Sequence, residues 1–346
     1  MIRASSDRAV NGARIALALR RALELGERGV QVAAYLGDQM VIDEFAGVTD
    51  NATGSMVAGD TLFPAFSVTK VATAIAIHLQ VKRGLISYDD PIAKHWPEFA
   101  NRDKGRITVA HVLAHQSGIP QMPAGVTPEL MCEWDWIIGQ IEDFAPFFEA
   151  GTKNAYQSLI HGWILGEVVR RTDPRGRDFG DFVRQEICVP LKMDDFWIGL
   201  PAREIPRVAV LTSELSNLPA VNQTEESRAA KPAAVVLDAP VHNRHDVWQA
   251  CLPATGAIMS ARSGVRLFAM LANGGVLDAV RLLPEKMVRS FTTPPSARGR
   301  YGPGDVRRKS GCSTRRDRRY VARWDDSGRW TWRPLPHRCR GNFWVR

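Results

Sequence analysis

The sequence predicts an α+β fold: an antiparallel sheet flanked by helices, with an all-helical lobe inserted into it. Three observations predict it. A hairpin pattern occupies residues 30–48, a long apolar helix starts near Ser67, and helical spacing dominates from about Tyr88 to Gly199. A chain of 346 residues can bury a sizeable core, as one large domain or as two lobes sharing a cleft.

The elements follow in chain order. Ser5 or Ser6 can cap a first helix that stops near Gly26 or Gly29. VQVAAYLG and QMVIDEFAGV flank Gly37-Asp38, a Gly-first pair suited to a two-residue hairpin turn. The segment DTLFPAFSVTKVATAIAIHLQVKRGL passes from a short extended piece into a helix that Gly84 stops, with Ser67 at its N-terminus. Further stops fall at Gly118 after TVAHVLAHQS and at Asp173-Pro174 after LIHGWILGEVV. Thr127-Pro128 opens another helix with a capping hydroxyl and a proline at its first position, and Asp178 to Val189 supplies one more. Residues 213–246 are polar and alanine-rich, an irregular excursion. Ser260 can then cap a helix through SGVRLFAMLANGG that returns the chain to the sheet.

This gives an organisation of residues 1–84 for the first helix, the first strands and the helix that starts at Ser67, 85–210 for the helical lobe, 211–297 for the excursion and return, and 298–346 for a basic tail. The tail holds 15 Arg or Lys against 4 Asp or Glu, four Trp, and no alternation that reads as a strand. Three readings of it stand open: a disordered basic tail, an RNA-contacting extension, or an out-of-frame translation of the last strands.

Composition excludes several classes. The formal charge is +8, yet residues 1–297 carry 30 basic against 33 acidic groups, so the body offers no general surface for phosphate backbones and no nucleic-acid partner is expected. No apolar run reaches the length of about 20 residues that a membrane-spanning helix needs. Arg and Glu interrupt the apolar N-terminal residues, which argues against a secretory signal and for a cytoplasmic protein. Five scattered cysteines with no Cys-x-x-Cys read as reduced bystanders. No cofactor or metal is called for. His111 and His115, four apart, and His242 and His245, three apart, have zinc-like spacing, but no His-Glu-x-x-His accompanies either pair.

The chemistry rests on Ser67-Val68-Thr69-Lys70. Residues three apart share a helix face, so the Lys70 amine can reach the Ser67 hydroxyl. The helix N-terminus adds unpaired N–H groups where an oxyanion would form. A serine hydroxyl needs such help, and a lysine accepts its proton only in the neutral form. Alone, the tetrapeptide is better read as a capping serine beside a solvated lysine, since about one such match is expected by chance in a chain of this length.

PAFSVTKVATAIAIHLQVKRGLISYDDPIAKHWPEF followed by ITVAHVLAHQSGIP resembles the corresponding segment of the serine β-lactamase-related family. That family comprises class C β-lactamases, D-alanyl carboxypeptidases, β-lactamase-like carboxylesterases and acyl transesterases. Asp90-Pro91, His115-Gln116-Ser117-Gly118 and ATGAIMSARSGVRLFAMLANGG fall in the family's order, over roughly residues 30 to 290. The resemblance implies a β-lactamase/transpeptidase-like fold with the site in the cleft between sheet and helical lobe. It implies Ser67 as acylated nucleophile, Lys70 as its activating base, and Tyr156, after the loop Glu149 to Ala155, as the phenol that joins their proton relay. His115 stands where the family has a structural histidine. Tyr156-Gln157-Ser158 departs from the Tyr-x-Asn usual in β-lactamases and peptidases and resembles the esterase branch. The expected function is therefore an esterase or transesterase acting on a small ester. β-Lactamase, D-alanyl carboxypeptidase and a non-catalytic relative are the alternatives, and the oligomeric state is open. The family's third motif has one near match, Lys309-Ser310-Gly311, whose flanks do not resemble a strand. Trp134, Trp136, Phe144, Phe147 and Phe148 could line an acyl pocket or pack the core.

Overall fold

The computed structural model describes residues 4–212, 229, 233–235, 237–292, 320–324 and 330–334, with side-chain detail between residues 12 and 292 of these. Contacts divide the chain into two compact units, Met1–Gly304 and Asp305–Arg346.

In the first unit, helix α1 (Ala4–Glu24) ends before Gly26, whose φ of 109° is open to glycine at little cost. Strands β1 (Gly29–Leu36) and β2 (Gln39–Gly47) form the expected antiparallel hairpin, closing on the Leu36↔Gln39 pair with Gly37 at φ 63°. A register shift at Ala34/Tyr35 bends the ladder. β3 (Phe63–Pro64) leads into α2 (Thr69–Lys82), stopped at Gly84.

The helical lobe contains α3 (Ile92–His95), α4 (Val109–Leu113), α5 (Pro128–Cys132), α6 (Trp134–Glu142), α7 (Ile160–Thr172) and α8 (Phe179–Val183), the last running into a π-turn over Arg184–Cys188. Thr127 caps α5 by accepting the Leu130 N–H at 3.2 Å. The helix expected through TVAHVLAHQS is shorter, because α4 ends at Leu113 and His115 takes a left-handed φ of 56°. β4 (Phe196–Ile198) follows. Two short helices, Ala239–His242 and His245–Gln249, then lead to β5 (Ala257–Met259). Ser260 caps the helix Ala261–Ala272 by accepting the Ser263 N–H at 3.3 Å. The hairpin β6 (Val276–Leu277) and β7 (Val280–Arg281) and the helix Glu285–Thr292 follow.

The fold is α+β, with mixed helices and antiparallel ladders. Among the described residues these ladders stay separate: β1–β2, β3–β5–β4 and β6–β7. β3 and β5 are short for local reasons. Pro64 supplies no N–H, Phe66 turns left-handed, and Ser260 begins a helix. β5 lies at the centre, pairing Phe63↔Met259 on one side and Phe196↔Met259 on the other. One large core joins both sides of the site: Ala72, Ile75 and Ala76 of α2 with Ile164, Leu165 and Val168 of α7, and Phe179 and Phe182 of α8. α2 is buried nearly all round, which is why its apolar residues lack a single stripe.

In the second unit, β8 (Tyr320–Trp324) pairs antiparallel with β9 (Trp330–Pro334). This corrects the reading of the tail as free of strands. YVARW and WTWRP are each rich in β-formers, and Asp325-Asp326-Ser327-Gly328 between them has turn composition. Lys309-Ser310-Gly311 lies outside the described residues.

Candidate active site

The chain reaches Ser67 through a strained turn. Phe66, an aromatic residue, sits at φ 47°, and the turn closes with Val68 N–H to Ala65 O at 3.2 Å and Thr69 N–H to Phe66 O at 3.0 Å. Thr69 fixes this turn to β5. Its hydroxyl donates to Phe66 O at 2.5 Å and accepts the Ala257 N–H at 2.9 Å. The Phe66 ring lies 4.9 Å from that of His242. Ser67 therefore stands one residue before the α2 cap at Val68, with its hydroxyl on the face that Lys70 shares.

The Lys70 side chain is drawn inward. Nζ lies 3.2 Å from Ser67 Oγ, 2.7 Å from the Ser158 carbonyl and 3.1 Å from the Ala254 carbonyl, and the residue is 9% exposed. These three partners suit either protonation state. An ammonium donates to all three; a neutral amine donates to the two carbonyls and offers its lone pair to the Ser67 hydroxyl, the one partner that can itself donate. The arrangement can thus take up and return a proton without moving a heavy atom.

Tyr156 completes the cluster. Its hydroxyl donates to Ser67 Oγ at 2.9 Å, and Lys70 Nζ lies 5.1 Å from its ring centroid. The tyrosine is 49% exposed, so the cluster is reached by solvent on its side. Its segment is held from behind by the turn at His115. The His115 carbonyl accepts the Ala155 N–H at 2.9 Å, His115 Nδ1 accepts the Gln157 N–H at 3.2 Å, and the His115 and Tyr156 rings lie 4.7 Å apart. Burial, with the Lys70 charge nearby, lowers the His115 pKa to about 4, which keeps Nδ1 free to accept. His161, 4.7 Å from His115 ring to ring, is held well below the ordinary histidine value by burial and then by His115 and Lys70.

The structure thus brings Ser67, Lys70 and Tyr156 together. Sequence reasoning missed the carbonyls of Ser158 and Ala254, the Thr69 pin and the left-handed Phe66. The histidine pairs have other partners. His111 Nδ1 accepts the Thr108 N–H at 3.2 Å in a capping box, while His245 stacks 5.0 Å from Trp248. The acyl-pocket set divides. Trp134, Trp136 and Phe144 pack on the core, Phe147 is exposed, and Phe148 lines a cavity of about 1050 Å³ with His111 and Arg106. A second cavity of about 230 Å³ lies beside Trp197 and Cys251, and Ser67, Lys70 and Tyr156 line neither of the two. Among the described residues no helix is long and apolar enough to cross a membrane.

Antiparallel ladders around an inserted helical lobe, with a serine, lysine and tyrosine meeting between them, define a protein of the β-lactamase/transpeptidase fold. A family model described as Beta-lactamase matches residues 16–330, and the chain belongs to that family. Esterase/beta-lactamase LipL of Mycobacterium tuberculosis is 30% identical over 277 residues, covering 76% of this chain and 63% of LipL. A Beta-lactamase of Escherichia coli is 28% identical over 158 residues, covering 46% and 40% of the respective chains, so this chain matches only part of each relative's length. Among solved structures, a family VIII carboxylesterase superposes with TM-score 0.73 at 30% identity, covering 80% of this chain and 73% of that one. A penicillin-binding protein homologue from Caulobacter crescentus gives TM-score 0.71 at 31% identity, covering 80% and 74%.

Proposed function

We propose that the chain is a serine hydrolase that works through an acyl-enzyme on small esters, as a carboxylesterase or acyl transesterase. The observation that carries this is the placement of Ser67 Oγ between Lys70 Nζ at 3.2 Å and the Tyr156 hydroxyl at 2.9 Å. Ser67 Oγ attacks the ester carbonyl carbon while its proton passes to the neutral Lys70 amine. The Ser67 N–H, at the start of α2, serves as half of the oxyanion hole. As the tetrahedral intermediate collapses, the carbon–alkoxide bond breaks and the leaving oxygen takes the proton from Lys70 through Tyr156. A water or an alcohol then attacks the acyl carbon, gives its proton to the same relay, and frees Ser67.

The names of LipL and of the carboxylesterase neighbour support the ester substrate class, as does Ser158 in place of the asparagine usual in β-lactamases. A cytoplasmic location belongs to the reading, supported by the free thiols of Cys132, Cys188 and Cys251.

The test pairs a p-nitrophenyl acyl ester with a fluorophosphonate probe. Turnover and labelling at Ser67, both lost in Ser67→Ala, are expected. A folded, unlabelled protein makes the chain a non-catalytic relative instead. Nitrocefin run alongside separates the readings, since hydrolysis of it with no ester turnover makes the protein a β-lactamase.

A further inference from the structure

Tyr156 stands at the end of a loop whose middle lies outside the core. Thr152, Lys153, Asn154 and Tyr156 are exposed, and Gly151 and Ala155 are half-buried. The phenol has to stay 2.9 Å from Ser67 Oγ to pass a proton. A surface loop keeps such a position through directed polar contacts, because it has little apolar burial to fix it.

Asn154 supplies two of these contacts. Its Nδ2 donates to the Ala114 carbonyl at 2.9 Å, and its Oδ1 accepts from Gln116 Nε2 at 3.1 Å. The Ala114 carbonyl can only accept, which fixes the amide's orientation: nitrogen towards Ala114, oxygen towards the Gln116 amide. Ala114 caps the C-terminus of α4, where helix carbonyls lack partners within the helix. Gln116 is itself tied at both ends of its backbone, its N–H to the His111 carbonyl at 2.7 Å and its carbonyl to the Gly151 N–H at 2.9 Å. His115, between them, holds the N–H groups of Ala155 and Gln157 at 2.9 Å and 3.2 Å. The neighbours of Tyr156 are thus clamped to one turn, residues 114–116, by backbone groups at His115 and by a side chain at Asn154.

We propose that Asn154 is a positioning residue for the Tyr156 phenol: its side-chain amide locks the loop to the 114–116 turn and so sets the distance from the Tyr156 hydroxyl to Ser67. Its partners are Ala114 and Gln116 rather than Ser67 or Lys70, so it acts through Tyr156. The effect on turnover rests on the acyl-enzyme reading, whereas the hold on the loop does not. Because Asn154 is exposed, substitutions there leave the core intact.

The experiment uses two variants of the full chain. Asn154→Ala removes both bonds, and Asn154→Asp keeps the shape but sets an oxygen against the Ala114 carbonyl. Each is assayed on the p-nitrophenyl ester, alone and combined with Tyr156→Phe. Alone, each is expected to lower kcat about tenfold with KM unchanged; added to Tyr156→Phe, each is expected to lower it by less than about twofold, because the hydroxyl to be positioned is already gone. An unchanged kcat, or the same fall in both backgrounds, overturns the proposal. A second arm reads hydrogen exchange amide by amide. The Ala155 and Gln157 N–H groups are expected to exchange about tenfold faster or more in both variants, with the α7 amides unchanged. Unchanged rates at 155 and 157 overturn the proposal, and so does acceleration throughout α7, which makes the role one of general stability. A parent without turnover counts against the hydrolase reading alone, because the exchange arm still decides whether Asn154 holds the loop.

Discussion

His78 lies in the middle of α2, 5% exposed, with its ring stacked 4.1 Å from Phe291 and Nδ1 at 2.7 Å from the Tyr88 hydroxyl. Burial lowers its pKa to about 4. His242, 3% exposed against Phe66, is likewise lowered to about 4 by burial. In the unfolded chain each imidazole returns to about 6.5. The folded state thus keeps both neutral while the unfolded state binds protons, and stability falls as pH drops from about 6.5 towards 4. At about 1.36 kcal/mol per pH unit, the loss for each is about 2 kcal/mol at pH 5 and about 3.4 kcal/mol well below pH 4. Two such groups remove about 4 kcal/mol by pH 5, a large part of a typical total stability of about 5–15 kcal/mol. The perturbation is His78→Phe, which keeps the stacking but forfeits the hydrogen bond to Tyr88, at about 1 kcal/mol. The assay is urea unfolding at pH 7.5 and pH 5. The variant is expected to be less stable than the parent at the higher pH, but to lose about 2 kcal/mol less between the two, so that the curves cross. Parallel curves would refute the claim that burial in the folded state holds this histidine neutral.

Other perturbations probe the site and its frame. Tyr156→Phe removes the hydroxyl 2.9 Å from Ser67 Oγ while keeping the ring beside His115, and should lower kcat on a p-nitrophenyl ester by about 100-fold or more with unchanged circular dichroism. Gly162→Ala places a Cβ 2.4 Å from the Ala254 nitrogen and 2.5 Å from the Pro253 carbonyl carbon. Denaturant melts should show a loss of about 1–3 kcal/mol, and kcat should fall because the Ala254 carbonyl is pushed from Lys70. Burial raises the pKa of the Glu167 carboxylate, but hydrogen bonds from Arg170, Arg171 and Trp134 outweigh it and hold the group below its ordinary value. That contribution is present above the ordinary carboxylate pKa and lost as pH falls through the folded one, so Glu167→Gln should cost about 1–3 kcal/mol at pH 7, because the arginines left behind are partly solvated, and flatten the acid branch of the stability curve.

Local chemistry was readable wherever a short stretch of chain determines the outcome. Gly37 with its flanking β-formers dictated a hairpin, Thr127-Pro128 and Ser260 dictated helix starts, and the three-residue spacing of Ser67 and Lys70 dictated their shared face. What was not readable depends on distant chain segments or on strain. The carbonyls that hold Lys70 lie 88 and 184 residues away in sequence and carry no side-chain signal. Phe66 is a poor residue for a left-handed φ, and only its clamp by Thr69 and β5 keeps it there. TVAHVLAHQS has helical spacing throughout, but the helix stops at Leu113 because His115 turns to bracket Tyr156 with both its carbonyl and its ring. The C-terminal strands were missed because their alternation lasts five residues apiece in a region dominated by arginine.

The way α2 is seated explains why a half-buried serine and an inward lysine can meet across one turn at its start. An exposed helix would leave the Lys70 ammonium in water, where its proton is firmly held, and a fully apolar socket would leave the amine without partners. Here α2 is packed into the core through Ala72, Ile75, Ala76, Ile77 and Leu79, so the amine meets protein rather than solvent, and two of the groups it meets are carbonyls that never titrate. Those carbonyls orient the amine in either charge state, and Ser67 remains the partner whose proton can move. The strain at Phe66 has the complementary effect: it turns the hydroxyl out to Tyr156 and the cleft while the next residues begin the helix. A buried amine and a half-buried hydroxyl on one shared helix face, with an exposed phenol beside them, let the same three side chains both protect a proton and present a nucleophile.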